Sequence, residues 1–442
     1  MGGRIVAQAE MEKVERSSTI GQGGQGLALS DHELRLIVEV ALAEVPRGAK
    51  VLAVIPDKTR DDNTHLLFPM AERALSARGV AKFDALVAQG THPAMTEAQK
   101  RAKVGADRGG NRLLGHIYDH DWDRPEALVT LGRLEATRVG QLTDGLLREA
   151  VDVRINALLA RGVYDMVLVF GGTVPHEVAG FAGGAKYFFP GVGGPELTHL
   201  THWLGALATI EKVIGRVDTP TRRVIESAAE LIPAPVISFT SVNIRDSNGL
   251  RTNALFAGDI KDSLRRAAEV SKQVHIKYTG RKYQRVVALL DKHYDELWVG
   301  GKASYKLGSV IEEGGELIIY APNLSQISET HGRLIEKYGY APLEQVREMV
   351  EWSDELRANL CVAAHLAHVS YGGTQNAAGT FVPRYRITLA SAVPEEVCRR
   401  VKLGYMDYHS FRLTDYEGAA DTLIVENAGR DLYLVKPDGA NL

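Results

Sequence analysis

The sequence predicts an α/β fold with doubly wound, mostly parallel sheets. Short apolar runs typical of buried strands alternate with segments of helical periodicity along most of the chain. Glycine and polar residues follow several of these runs directly, at the carboxyl ends of strands where open α/β sheets bind ligands. The chain has 442 residues, 45% of them hydrophobic, which is enough for two or three domains with separate cores.

The first part of the chain begins with a helix and continues as strand and helix in turn. Ser30 and Glu33 form a capping-box pattern before the apolar-periodic run LRLIVEVALAEV. Strands are predicted at KVLAVIP and FDALVAQ, and the second leads to a helix that opens near Thr96. Two further strands are predicted at DMVLVF and PVISFTSV. This alternation favours a parallel sheet.

A second α/β unit is predicted after His275. The segments RVVALL, DELWVGG and ELIIYAP indicate three strands within a short span. They follow the segment KYTGRKYQ, whose polar, glycine-containing composition is typical of a linker. We therefore expect a second domain in this part of the chain.

Composition and charge exclude several classes of protein. The net charge is −3, and the sequence has no Lys/Arg-rich block, which argues against a nucleic-acid partner. Cys361 and Cys398 belong to no CxxC pair, so a disulfide scaffold or a cysteine-ligated metal is poorly supported. No apolar run has the length of a signal-peptide core or a membrane span. We therefore expect a cytoplasmic protein with a small-molecule partner and no membrane partner.

The glycine-rich segment between Gly171 and Trp203, GGTVPHEVAGFAGGAKYFFPGVGGPELTHLTHW, carries the strongest functional signal. It contains His176, Lys186 and His202, with ten residues from the first to the second and sixteen from the second to the third. So many glycines indicate positive φ angles or a close approach of backbone to a bound group. A flexible linker would lack the large apolar residues that interrupt them.

Two further motifs lie at predicted strand ends. The sequence DKTR, residues Asp57 to Arg60, follows the strand KVLAVIP, and Gly90, Thr91 and His92 follow FDALVAQ. The carboxyl ends of parallel strands share one edge of a sheet. We therefore expect both motifs to lie near the glycine-rich segment.

Together these motifs resemble the signature of the nickel-pincer lactate racemase family, which racemises or epimerises 2-hydroxy acids. The resemblance implies that Lys186 tethers a nickel-pincer nucleotide, pyridinium-3-thioamide-5-thiocarboxylic acid mononucleotide, through a thioamide, and that His202 ligates the nickel. His199 is an alternative ligand, although the spacing from Lys186 favours His202. The other residues implied at the cofactor are Asp57, Thr59, Gly183 and Gly184. Asp57 is expected to orient Arg60 or to bind the cofactor.

The resemblance also implies two Rossmann-like domains with the active site in the cleft between them. Residues 1–275 with 415–442 would bind the cofactor, and residues 276–414 would close over the substrate. Lys302 lies twelve residues before Gly314, at the family spacing for a substrate-contacting lysine, and Lys306 on the same predicted helix is the competing choice. Trp298 and Val299 stand where many family members have Tyr and Gln, which puts lactate itself in doubt as the substrate.

The residue types suit inversion at C2 through a 2-keto acid intermediate. The C2 hydrogen of a 2-hydroxy acid is too weakly acidic for easy removal by a side-chain base, so it would leave as hydride to a cofactor. His92 and His176 would be the catalytic acid/base pair, one for each hand of the substrate. Arg60 would hold the substrate carboxylate through two parallel hydrogen bonds, and Lys302 would add a second positive contact. Enzymes that make the cofactor are the implied protein partners.

Three other classes stay open at this point. Lys186 fits a Schiff base with pyridoxal phosphate, and the histidines fit a metal-hydrolase set. A non-catalytic, two-lobed carboxylate-binding protein would keep the arginine and the lysines but would have no use for all three histidines. The sequence also leaves open which 2-hydroxy acid is used and whether the reaction is racemisation or epimerisation.

Overall fold

A computed structural model describes residues 19–106, 112–246 and 249–436. In chain order the strands of these ranges are β1 (Ile20–Gly23), β2 (Lys50–Pro56), β3 (Lys82–Ala88), β4 (Leu114–Tyr118), β5 (Leu128–Leu134), β6 (Val151–Asn156), β7 (Met166–Gly172), β8 (Pro175–His176), β9 (Gly180–Phe181), β10 (Val236–Asp246), β11 (Gly249–Gly258), β12 (Ile276–Tyr278), β13 (Tyr283–Leu289), β14 (Ile311–Ala321), β15 (Gly373–Gln375), β16 (Phe381–Pro383), β17 (Arg386–Ser391), β18 (Gly404–Asp407), β19 (Thr422–Val425) and β20 (Leu432–Leu434).

The α-helices of the same ranges are α1 (Asp31–Ala41), α2 (Thr64–Arg78), α3 (Glu97–Lys103), α4 (Ala136–Leu142), α5 (Pro195–Ala208), α6 (Ile210–Val213), α7 (Pro220–Ala229), α8 (Ile260–His275), α9 (Leu297–Gly300), α10 (Lys302–Leu307), α11 (Gly332–Tyr338), α12 (Leu343–Trp352), α13 (Asp354–Arg357), α14 (Leu360–Ser370) and α15 (Glu395–Arg400). Short 3₁₀ turns occur at Pro125–Ala127, Ala157–Leu159, Gly184–Tyr187, Gly308–Val310 and Leu413–Asp415. None of the helices described is long and apolar enough to cross a membrane.

The first sheet has seven strands in the order β1-β11-β10-β7-β2-β3-β4. The run from β10 to β4 is parallel, and β1 and β11 add an antiparallel edge. The four strands predicted for this unit all form, because their β-branched, apolar runs are buried between helices on both faces of the sheet. The predicted capping box forms as well: Ser30 accepts from the backbone N–H of Glu33, whose side chain accepts from the N–H of Ser30.

The second sheet has five strands, all parallel, in the order β18-β17-β14-β13-β19. Two of the three strands predicted here form, as β13 and β14. The third prediction was wrong, because DELWVGG contains the helix α9 (Leu297–Gly300) and runs into α10. A short apolar run does not distinguish a strand from one turn of buried helix. The mixed α/β class with mostly parallel sheets is confirmed.

The end of the described chain differs from the return predicted at residue 415. The strand Thr422–Val425 still pairs with β13 in the second sheet. Only afterwards does Leu432–Leu434 pair in parallel with Ile276–Tyr278, where the chain first leaves the first unit. After residue 415, one more strand therefore completes the edge of the second sheet. The division into domains otherwise stays a prediction.

The two units meet along helices α5 and α14. Trp203 and Ala206 of α5 belong to the same buried apolar cluster as Val362 and Leu366 of α14. Because α5 begins within the glycine-rich segment and carries His202, this packing brings the second unit over the functional motifs of the first.

Candidate active site

A cavity between the two units collects most of the predicted site residues. It encloses about 1050 Å³ of empty space, counting its opening to solvent. Its lining includes eight of the ten predicted residues: Asp57, Arg60, His92, His176, Gly183, Lys186, His202 and Lys302. The other two predicted residues, Thr59 and Gly184, do not line the cavity. The motifs converge because β2, β3 and β7 are adjacent parallel strands that end at the same edge of the sheet.

The turn after β2 places a buried carboxylate against the first predicted catalytic histidine. Oδ2 of Asp57 lies 2.6 Å from Nδ1 of His92, and Oδ1 accepts from the backbone N–H and hydroxyl of Thr59 at 3.0 and 2.6 Å. Burial alone would raise the pKa of Asp57, but His92, Arg60 and Thr59 together hold it well below its usual range. An ionised carboxylate only accepts, so Nδ1 of His92 carries a hydrogen, and in the neutral form of the ring Nε2 has the lone pair.

The second predicted histidine lies on a hairpin of two-residue strands, β8 and β9. The backbone N–H of Val178 donates to Nδ1 of His176 at 3.1 Å, so the neutral ring carries its hydrogen on Nε2. Burial, together with the charges of Lys186 and Arg60, lowers the pKa of His176 well below its ordinary value. His176 is therefore neutral at physiological pH.

Lys186 lies in a 3₁₀ turn that the glycines make possible. Gly183 has a φ of 94°, and a Cβ there would lie 2.8 Å from Oγ1 of Thr173. The buried guanidinium of Arg222 donates to the carbonyls of Gly183 and Phe181, which holds the turn in place. Burial, together with the charge of Arg60, lowers the pKa of Lys186 to about 7. A large fraction of this amine is therefore uncharged near neutral pH.

The helix α5 presents His202 to the cavity. Nδ1 of His202 lies 2.7 Å from the carbonyl oxygen of Thr198, one turn earlier. A carbonyl only accepts, so Nδ1 donates and Nε2 keeps its lone pair. Burial lowers the pKa of His202 to about 4, so the ring is neutral. His199, the alternative metal ligand, does not line the cavity. Its Nδ1 accepts a hydrogen bond from the backbone N–H of Cys361 at 3.4 Å.

Arg60 and Lys302 bring positive charge to the cavity from opposite units. Within the described ranges, no group accepts a hydrogen bond from the Arg60 guanidinium or from the ammonium groups of Lys186 and Lys302. Burial, together with Arg60, lowers the pKa of Lys302 to about 8. Lys306, the competing choice, lies outside the described lining, and its ammonium donates to backbone carbonyls. The cavity therefore holds cations that lack acceptors, as an anion-binding site does.

The cavity lining also includes polar residues that the sequence did not single out, among them Glu177, Tyr305, His365 and His368. His365 lies between two phenols, with Nδ1 2.8 Å from the Tyr305 hydroxyl and Nε2 3.3 Å from the Tyr340 hydroxyl. Nε2 of His368 is buried without a partner among the described residues. Both histidines lie in LCVAAHLAHVS, which has the composition of a buried helix. Only their spacing of three residues, which puts them on one helix face, could have indicated a shared role.

His120 does not line the cavity but bonds the glycine-rich segment. Its Nε2 lies 3.0 Å from the carbonyl oxygen of Gly193. Nearby, the backbone N–H of Gly90 donates to the carbonyl of Gly191 at 2.8 Å. These bonds connect the strand ends to the glycine-rich segment, so the motifs form one continuous wall of the cavity.

Comparison with known proteins agrees with this geometry. Residues 31–214 match the family model described as the lactate racemase N-terminal domain. A search of curated proteins finds no match. A protein from Thermotoga maritima with a crystal structure is 32% identical, with a TM-score of 0.85, over 94% of this chain and 100% of that chain.

A second solved structure carries a functional name. The lactate racemase apoprotein from Thermoanaerobacterium thermosaccharolyticum has the same fold, with a TM-score of 0.69 and 17% identity over 93% of this chain and 95% of that chain. The matched segment 31–214 contains DKTR, the GTH motif and the glycine-rich segment, all of which converge on the cavity. The N-terminal part of the chain, residues 31–214, belongs to the family of lactate racemase N-terminal domains.

Proposed function

We propose that this protein is a racemase or epimerase that inverts C2 of a 2-hydroxy carboxylic acid with the help of a nickel-pincer nucleotide. One observation carries the proposal. One cavity is lined by all the side chains that the reaction needs. They are His92 and His176, whose hydrogen bonds define their hydrogen positions, Lys186, whose pKa is lowered, His202, whose Nε2 is free, and the unpartnered cations Arg60 and Lys302. Each is a residue type that this reaction requires.

The residues present fit the cofactor. The uncharged fraction of Lys186 is a nucleophile that can form the thioamide tether. His202 donates through Nδ1 to a carbonyl, as metal-bound histidines usually do, which leaves Nε2 for the metal. The described residues contain no cluster of three or more metal-binding side chains, so the remaining ligands would have to come from the cofactor. When bound, the cofactor would supply the acceptor for the C2 hydrogen.

The two histidines would handle the hydroxyl proton. Nε2 of His92 offers a lone pair, while Nε2 of His176 offers a hydrogen. A substrate hydroxyl placed between them can donate to His92 and accept from His176. The ionised Asp57 stabilises the imidazolium that forms when His92 takes the proton. We therefore propose that Asp57 positions His92 and does not bind the cofactor.

The cations would bind the substrate carboxylate. Arg60 can present two parallel N–H donors, which fix the plane of a carboxylate, and Lys302 can add a point charge from the second unit. Charge-assisted hydrogen bonds are strong in a site that excludes water. Binding would therefore hold the acid group still while the configuration at C2 inverts.

The decisive experiment is activity of protein matured together with the cofactor pathway. We expect inversion of at least one member of a panel of chiral 2-hydroxy acids, measured by chiral chromatography, and no inversion by the matched Lys186→Ala protein. A protein that carries the cofactor but inverts no acid would contradict the proposal. The absorbance spectrum separates the alternatives, because pyridoxal phosphate has its own chromophore and a carboxylate-binding protein has none.

A further inference from the structure

Lys306 makes an unusual contact between the two units. It lies on α10, one turn after Lys302, and its side chain is 2% exposed. Its ammonium donates to the carbonyl of Pro175 in the first unit and, at 3.1 Å, to the carbonyl of Arg430 near the end of the described chain. One buried amine thus joins α10, the β8 strand and the C-terminal segment.

Such a contact is costly unless the ammonium has partners. Burial lowers the pKa of Lys306 to about 8, while Glu177 and Asp431 favour its charged form. The two carbonyls replace the water that the ammonium loses. An apolar residue of similar length would fill the space without this cost. The presence of a lysine therefore indicates that its directional hydrogen bonds to the two carbonyls have a role that an apolar side chain could not fill.

The bond to Pro175 ends one residue before His176. The strands β8 and β9 contain only two residues each, so the hairpin has little hydrogen bonding of its own to hold the histidine ring. The C-terminal segment makes a second contact near the cavity, because the Arg430 side chain bonds Asp291 at 3.0 Å and lies 3.8 Å from Asp61, the chain neighbour of Arg60.

We propose that Lys306 is a positioning residue that couples the docking of α10 to the placement of His176. Lys302 and Lys306 lie four residues apart on one helix face. When α10 docks, Lys302 reaches the substrate cavity and Lys306 fixes the hairpin that carries the acid/base group. The catalytic consequence rests on the proposed function, whereas the structural coupling does not.

The first test needs neither cofactor nor substrate. The amide of Val178 donates to Nδ1 of His176, so its hydrogen exchange reports the position of the ring. We expect Lys306→Met to speed exchange at Val178 by about tenfold or more, and Lys306→Gln, whose amide NH2 group can still donate, to have a smaller effect. The matched control is Ser309→Ala, because the Ser309 hydroxyl also bonds the C-terminal segment, at the Tyr433 carbonyl, and makes no hydrogen bond to the hairpin within the described residues. Equal exchange in Lys306→Met and Ser309→Ala would overturn the proposal.

The second test measures kcat and KM separately in protein matured together with the cofactor pathway. A displacement of about 1 Å in a catalytic group can cost about 100-fold in rate, so we expect kcat of Lys306→Met to fall by about that factor with little change in KM. Lys306→Gln should recover part of the loss. A raised KM with an unchanged kcat would make Lys306 a substrate-binding residue and overturn the proposal. If the wild-type enzyme inverts no acid, the proposed function fails, while the exchange at Val178 still decides the positioning role.

Discussion

The carboxylate of Asp57 lies 2.6 Å from Nδ1 of His92, across the ends of two adjacent parallel strands. The contact joins two motifs that stand far apart in the sequence. It fixes which nitrogen of His92 carries the hydrogen, and it places a negative charge where an imidazolium would form.

Asp57→Asn should lower kcat by about 10²-fold to 10⁴-fold, the range that general acid–base catalysis contributes. The amide is neutral and can donate to Nδ1, which would reverse the tautomer of His92. The matched control is Thr59→Val, because Thr59 bonds only the other oxygen of Asp57. We expect this control to lose less than about tenfold by steady-state kinetics. Wild-type kcat in Asp57→Asn would contradict the role of the pair.

The same pair predicts how stability depends on pH. In the folded protein His92, Arg60 and Thr59 outweigh the effect of burial and hold the pKa of Asp57 below its ordinary value of 3.8. A carboxyl with a lowered pKa contributes stability above its unfolded pKa and loses it as the pH falls towards the folded pKa. We therefore expect wild type to have a larger free energy of unfolding than Asp57→Asn at about pH 6, and the difference between the two proteins to be smaller at about pH 3. Denaturant titrations at both values measure it, and an unchanged margin would contradict the assignment.

Much of the first unit could be predicted from its sequence, because strand ends carry the motifs. The strands before Asp57 and before His92 are continuous apolar runs, and adjacent parallel strands bring their ends together. The partner of Asp57 could not be predicted, since a strand end fixes where a side chain begins and not where it points. The sequence assigned Asp57 to Arg60 or to the cofactor, and the structure adds the direct bond to His92.

The second unit was harder to predict for a different reason. The side chains with which the second unit lines the cavity lie on helices. On these helices the polar residues are interspersed with apolar residues that pack into the core. Tyr305, His365 and His368 occupy such positions, and which helix face meets the first unit depends on the packing of α5 against α14. Sequence spacing found Lys302 through the family resemblance, with Lys306 as the competing choice. Only the contacts of the two ammonium groups distinguish them.

Arg60→Lys should lose far more activity than the conserved charge suggests. A lysine keeps the positive charge but lacks the two parallel donors that fix a carboxylate. A charge-assisted hydrogen bond contributes about 1.5–3 kcal/mol, so we expect kcat/KM to fall by about 10-fold to 150-fold. Steady-state kinetics against the best acid of the panel provide the measurement. Near-normal kinetics would mean that Arg60 does not hold the substrate.

Lys186→Ala should abolish the covalent adduct. The lowered pKa of Lys186 makes its amine reactive near neutral pH, whereas Lys302, with a pKa of about 8, lies in the same cavity and serves as the matched control. Intact-mass measurement of protein matured with the cofactor pathway should show an adduct in wild type and in Lys302→Ala. An adduct that persists in Lys186→Ala, or that maps to Lys302, would refute the tether.

The last prediction concerns the hydrogen on C2 of the substrate. In the proposed reaction His92 and His176 move only the hydroxyl proton, so the C2 hydrogen never resides on an imidazole nitrogen. An imidazolium N–H exchanges with water, and a label carried there would wash out. We therefore expect deuterium placed at C2 to be largely retained in the product of opposite hand, and unlabelled substrate in D₂O to gain little deuterium. Mass spectrometry after single turnovers measures both. Rapid loss of the label would leave the two histidines as conventional racemase bases and would remove the main reason to place a nickel cofactor at Lys186 and His202.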